Sequence, residues 1–198
     1  TDITGRKQAE EALRESEKRF RAIFENSAVA IGMIDRSGYW KEANAAFESM
    51  VGYSMREIFG MTNVDLTHPD DREMTRTYID ALVRGEMESV RVEKRYIRKD
   101  GGIVWVDLSV TPIRNDEGDI VAFVGVKTDI TERKRVETLL RESEERFAYA
   151  IDASNEGLWD WNVPTGEAYF SPRYYTMLGY EPNEFPSNAA VWESMIHP

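Results

Sequence analysis

The sequence predicts an α+β domain in which two strands open, helices follow and three strands close, and three observations carry that prediction. Strand-length segments of alternating apolar and polar residues lie on either side of a stretch whose apolar residues recur at helical spacing. Turn residues rich in Gly, Asp and Asn separate those segments. Finally, the pattern starts a second time further along the chain.

The elements follow in order. Residues 30–35 form an apolar run, Arg36-Ser37-Gly38 supplies a turn, and 39–43 returns, which reads as a hairpin. Asn44 is suited to cap a helix in which Phe47, Met50 and Val51 fall at i, i+3 and i+4, with Gly52 as its stop. Short helical pieces reach to about Leu66. Pro69 fits the first helical position, Asp70 and Asp71 favour the positive end of the dipole, and Met74, Tyr78, Ile79, Leu82 and Val83 form one stripe ending at Gly85. Residues 90–98, 103–113 and 120–128 then read as three antiparallel strands joined by turns at Asp100-Gly101 and over 115–119.

The repeat sets the domain organisation. Asp2-Ile3-Thr4 returns as Asp129-Ile130-Thr131, an offset of 127 residues, and Leu13-Arg14-Glu15-Ser16-Glu17 returns at Leu140 in the same register. Met50-Val51-Gly52-Tyr53 returns as Met177-Leu178-Gly179-Tyr180, and His68-Pro69 as His197-Pro198 with the offset grown to 129. Residues 1–18 are therefore expected to be the end of a preceding unit with a connector helix, 19–128 a complete domain, 129–150 a second connector helix, and 151–198 the truncated front half of another domain. That last piece lacks a long helix and three strands, so it is expected to be poorly ordered or covered by another molecule.

Composition excludes several functions. The 198 residues are 41% hydrophobic and 31% charged, a globular balance rather than a disordered one. A net charge of −11 without a Lys/Arg cluster argues against nucleic acid and against anionic membrane surfaces. The absence of cysteine removes disulfides, thiolate metal sites and cysteine nucleophiles, and accords with a cytoplasmic setting. No apolar run reaches the length of a membrane span. Phosphate-loop, nucleophile-elbow, His-Glu-x-x-His and Gly-Gly-Asp-Glu-Phe signatures are missing, so the segment is expected to catalyse nothing. His68 lies near Asp70, Asp71 and Glu73, but a residue before an N1 proline serves as a helix cap without any metal.

Arg98-Lys99-Asp100-Gly101, Thr111-Pro112-Ile113-Arg114, Gly125-Val126 and Asp129-Ile130-Thr131-Glu132-Arg133-Lys134, in that order, resemble the PAS family in its variant with a C-terminal PAC motif, as in bacterial multi-PAS sensor proteins. The resemblance covers 19–134 completely and 147–198 for a front half. It implies a five-stranded antiparallel sheet with helices on one face, flanked by long connector helices, and a small ligand or cofactor between sheet and helices. On such a sheet Val106, Leu108 and Val110 share one face, as do Phe123 and Gly125, with Tyr96 offering a hydroxyl and Lys127 near the pocket mouth. The same residues serve equally as a filled core with a solvated lysine. Flavin photosensors of the family use a cysteine in Gly-x-Asn-Cys; here the stretch is Gly60-Met61-Thr62-Asn63, which argues against a cysteinyl adduct. Haem sensors use a histidine on the long helix, where Thr75 stands, which argues against that haem site. The cofactor is thus left unknown, with none and a non-covalent flavin both open.

Val136, Leu140, Ser143, Phe147 and Ala150 are spaced 4, 3, 4, 3, and Ala9, Leu13, Ser16, Phe20 and Ile23 repeat that spacing. The spacing suits either a homodimeric coiled-coil seam or docking of each stripe on its own domain. Asp129 and Thr131 can each supply a capping oxygen where the last strand hands over to the helix, with Glu132 completing a capping box from Asp129. By resemblance that junction is the output point. The expected function is a sensory and dimerisation module of a histidine kinase or of a diguanylate cyclase or phosphodiesterase, the alternatives being a ligand-free spacer and a flavin-binding redox sensor.

Overall fold

Asn44 makes the first corner of the fold. Strand β1 (Ala30–Asp35) turns back into β2 (Trp40–Ala43), and the Asn44 side chain then accepts from Phe47 N at 3.0 Å to start α2 (Ala45–Val51). The same oxygen accepts from Ile31 N, while Nδ2 donates to Phe24 O and Val29 O, all at 2.9 Å. One fully buried amide thereby joins the end of α1 (Ile3–Glu25) to the first strand and the first inner helix. Gly52 ends α2 at φ 76°, a left-handed turn that glycine adopts without a Cβ clash.

The computed structural model describes residues 3–195, so Asp2 and the His197-Pro198 landmark lie outside the described residues. The chain divides into two units, up to Arg135 and from Val136. In the first unit α3 (Met55–Ile58) is followed by a 3-10 turn, Pro69–Asp71, with His68 as its cap, Nδ1 accepting from Asp70 N at 3.3 Å. Helix α4 (Arg72–Val83) then turns Tyr78, Ile79 and Leu82 of the expected stripe to the core. Thr75 and Ala81 are buried beside them and Val83, the last residue of the helix, is exposed.

The closing strands are β3 (Val90–Ile97), β4 (Ile103–Arg114) and β5 (Ile120–Asp129). They join the hairpin in one five-stranded antiparallel sheet of order β2-β1-β5-β4-β3, so the first and last strands of the domain lie side by side. The helices cover one face, where Trp40, Phe47, Val51, Ile58, Leu82, Tyr96, Val106 and Phe123 form a single core. Burying such side chains is worth about 1.5–3 kcal/mol each. Trp40 and Phe47 sit 4.7 Å apart between ring centres, and the Tyr96 ring meets Phe47 edge-on at 6.1 Å.

Helix α5 (Thr131–Ser154) is continuous across the division. The second unit carries the hairpin β6 (Trp159–Trp161) and β7 (Ala168–Phe170), then α6 (Pro172–Met177) and α7 (Ala189–Met195). Ser171 stands where Asn44 stands in the first copy and caps α6, its Oγ accepting from Tyr174 N at 3.2 Å. The tail has secondary structure where poor order was one expectation, because Phe170, Tyr174 and Tyr175 form a small aromatic core with Phe185 and Trp192. Trp159, Trp161 and Tyr169 of this two-stranded sheet remain substantially exposed. No helix among the described residues is long and apolar enough to cross a membrane.

Candidate ligand cavity

The cavity between sheet and helices is a consequence of strand register. Gly32 of β1 and Gly125 of β5 are cross-strand partners, and Val110 of β4 lies on the other side of Gly125. Two adjacent strands therefore lack a side chain at the same level, which leaves a trough in the sheet beneath α4. Thr75, Tyr78, Ile79 and Leu82 of α4 form the roof, and Val90, Val92, Lys94 and Tyr96 of β3 form one wall. The cavity volume is about 40 Å³, room for a molecule of a few heavy atoms or roughly three waters.

Two lysines point into this space. Lys127 is only 2% exposed; its Nζ donates to Gly125 O at 2.9 Å and lies 4.7 Å from the Phe47 ring centre and 5.1 Å from that of Trp40. Lys94, also 2% exposed, donates to Thr67 Oγ1 at 3.0 Å and Thr75 Oγ1 at 3.3 Å, with the Tyr96 ring centre 4.7 Å away. Among the described residues neither amine is paired with a carboxylate. Burial pushes Lys94 down to about 7, opposed only by the field of Asp71, whose own carboxylate is held by Arg95 at 2.6 Å. Burial, aided by the charge of Lys94, likewise pushes Lys127 down to about 7. Burial also raises the Tyr96 phenol well above its ordinary value.

Of the residues singled out in the sequence, Tyr96, Leu108, Val110, Phe123, Gly125 and Lys127 line the cavity. Val106 is fully buried in the core away from it. Lys127 is not at the mouth: its strand face is shared with Gly125, and the missing side chains at Gly125 and Gly32 give its amine a place inside. A Cβ at Gly125 would come within 2.9 Å of Nζ. Lys94 was missed, although positions 90, 92, 94 and 96 alternate in step and place it on the face of Val90, Val92 and Tyr96.

The cavity is small for the cofactors that the resemblance implies. A cavity of about 40 Å³ falls far below the ~300 Å³ at which ligand pockets of ordinary size begin. Asn63 lines the cavity at the adduct position. Thr75, at the haem-ligand position, donates to Asp71 O at 2.8 Å and accepts from Lys94. No group of His, Cys, Asp or Glu able to hold a metal occurs among the described residues.

The junction with α5 is built on one residue of β4. Trp105 N–H donates to Thr131 Oγ1 at 3.0 Å, and Trp105 C=O accepts from Ile130 N at 2.9 Å. Asp129 Oδ1 accepts from Thr131 N at 2.8 Å, whereas the bond from Lys134 N to Ile130 O puts Ile130 at the N-cap. The expected capping box from Asp129 is thus displaced, because Ile130 is drawn into the edge of the β4 ladder. Arg133 and Lys134 both reach Glu93 of β3, at 2.6 and 2.7 Å. Further along, Val136, Leu140 and Phe147 are each more than half exposed, and Ser143 is exposed too.

Residues 41–127 match a family model described as the PAS fold. The probable diguanylate cyclase DgcE of Escherichia coli K12 is 31% identical over 186 residues, covering 94% of this chain and 17% of that protein. A blue-light-activated histidine kinase of Brucella anthropi is 26% identical over 153 residues, covering 72% of this chain and 31% of that protein. A solved PAS domain from Colwellia psychrerythraea superimposes with a TM-score of 0.54 at 27% identity, over 58% of this chain and 97% of that one. The chain thus spans less than a third of the curated relatives it matches.

Proposed function

We propose that this chain, whose residues 41–127 match the PAS fold, is a sensory and dimerisation module of a longer bacterial signalling protein, acting in the cytoplasm and relaying the state of its cavity through α5. Signalling proteins with catalytic outputs, a cyclase and a histidine kinase, are similar to it, and the parent is proposed to carry an output of that kind outside the segment. The segment itself contributes no catalysis. The observation that carries the relay is the double hydrogen bond of Trp105 to Ile130 and Thr131. The strands that floor the cavity are the same strands that hold the first turn of α5, so a change of side-chain packing at Lys94 or Lys127 bears on the helix start. The exposed seam of Val136, Leu140, Ser143 and Phe147 is proposed to pair with its copy in a second chain.

Thr131→Val tests this in the full chain. It removes one acceptor, a loss of about 1 kcal/mol or roughly fivefold in the equilibrium that holds the junction. The expected result is faster hydrogen exchange at the Trp105 amide together with a several-fold change in the monomer–dimer constant by sedimentation. An opened junction with unchanged dimerisation, or a wild-type chain that stays monomeric at every concentration, overturns the relay.

A further inference from the structure

Two buried amines facing one small cavity, with no carboxylate paired to them among the described residues, ask for an anion. Lys94 uses two of its three donor hydrogens on Thr67 and Thr75, and Lys127 uses one on Gly125 O, which leaves donors aimed into the space. We propose that the cavity is the binding site of a small carboxylate with a short apolar body, its carboxylate seated between Nζ of Lys94 and Nζ of Lys127. This rests on the sensory reading above and names the class of molecule sensed.

The chemistry of the walls selects the ligand. Ile79, Leu82, Val90 and Val92 line the remainder, so a ligand with oxygens all round, such as phosphate, would bury acceptors without donors. A short alkyl chain meets those side chains instead. The volume of about 40 Å³ limits the body to a few carbons. Charge balance sets the pH response: in the free protein both amines are near their midpoints at neutral pH, and an entering carboxylate favours the protonated forms. Binding therefore takes protons from solvent, and affinity falls as pH rises beyond 7. Tyr78 of α4 and Tyr96 of β3 are the other titratable groups on the cavity, and Asp71, tied to Arg95, is the nearest fixed negative charge.

The test is calorimetric titration of propionate into the full chain at pH 6.5 and 7.5, each in two buffers of different ionisation enthalpy, with inorganic phosphate as the comparison. The expected result is saturable one-to-one binding of propionate with proton uptake, weaker at pH 7.5, and weakened at least tenfold in both Lys94→Met and Lys127→Met. Thermal melts establish that each variant is folded before titration. Absence of saturable binding to the folded wild type, wild-type affinity in either variant, or phosphate binding as well as propionate overturns the proposal. The Thr131→Val experiment needs no ligand, so its outcome separates the two ideas. Failure of propionate with the junction response intact removes the ligand and leaves the relay, and the reverse leaves the site without the relay.

Discussion

Lys127→Met is expected to stabilise the first unit and to change how its stability depends on pH. In the unfolded chain this amine keeps its proton up to about its ordinary value of 10.5, while in the folded protein it has lost it above about 7. Between those values unfolding takes up a proton, so raising the pH favours the folded form. Below 7 both states are protonated and the cost of the buried charge is present in full; above 10.5 it has vanished. One proton corresponds to about 1.4 kcal/mol per pH unit. Lys94 behaves in the same way, falling from 10.5 to about 7, so the two lysines together contribute up to ~2.7 kcal/mol per unit across pH 8 to 9.5. Replacing Lys127 by methionine is expected to halve the slope and to raise stability at pH 7 by on the order of 3–5 kcal/mol, the size of the removed shift. Urea unfolding at pH 7, 8 and 9, followed by far-ultraviolet circular dichroism, measures both quantities. Wild-type stability that is flat or falling over this range, or an unaltered slope in the variant, would refute the reasoning.

Asn44→Ala removes four hydrogen bonds at one buried point and is expected to cost about 2–4 kcal/mol in the same urea experiment, with faster exchange at the Ile31 and Phe47 amides, which lose their acceptor. The two facing glycines are expected to respond unequally. At Gly32 a Cβ would lie 2.6 Å from Cζ3 of the packed Trp40 ring, so Gly32→Ala is expected to lose about 1–3 kcal/mol. At Gly125 the nearest atom is the mobile end of Lys127, at 2.9 Å, so Gly125→Ala is expected to lose less; thermal melts showing equal losses would contradict the trough as described.

Local chemistry made much of this fold legible. Asn44 and Gly52 mark α2 by hydrogen-bonding capacity and by φ, and β3 to β5 announce themselves by alternation bounded by turns. Val83 was misplaced because it is the last residue of α4, where the helix leaves the sheet for the Arg84-Gly85 turn, and apolar spacing alone does not record that. Thr131 was read as a cap, yet its hydroxyl turns back to Trp105, a partner 26 residues earlier. The site was legible in part for a similar reason. Gly125 and Lys127 share a face by simple period-two arithmetic, but the pairing of Gly125 with Gly32 depends on β1 lying beside β5, a non-local choice. Without that pairing, Lys127 has nowhere inside to go and reads as a surface lysine.

The position of Trp40 makes the domain its own optical reporter. Its indole is fully buried, its Nε1 has no partner among the described residues, and the amine of Lys127 stands 5.1 Å from the ring centre. Light absorption moves electron density across an indole, so a positive charge at that distance in a poorly screened interior shifts the energy of the excited state. Each gain or loss of a proton at Lys127 is therefore written into the emission colour of Trp40, with no dye attached and no other part of the molecule required to move.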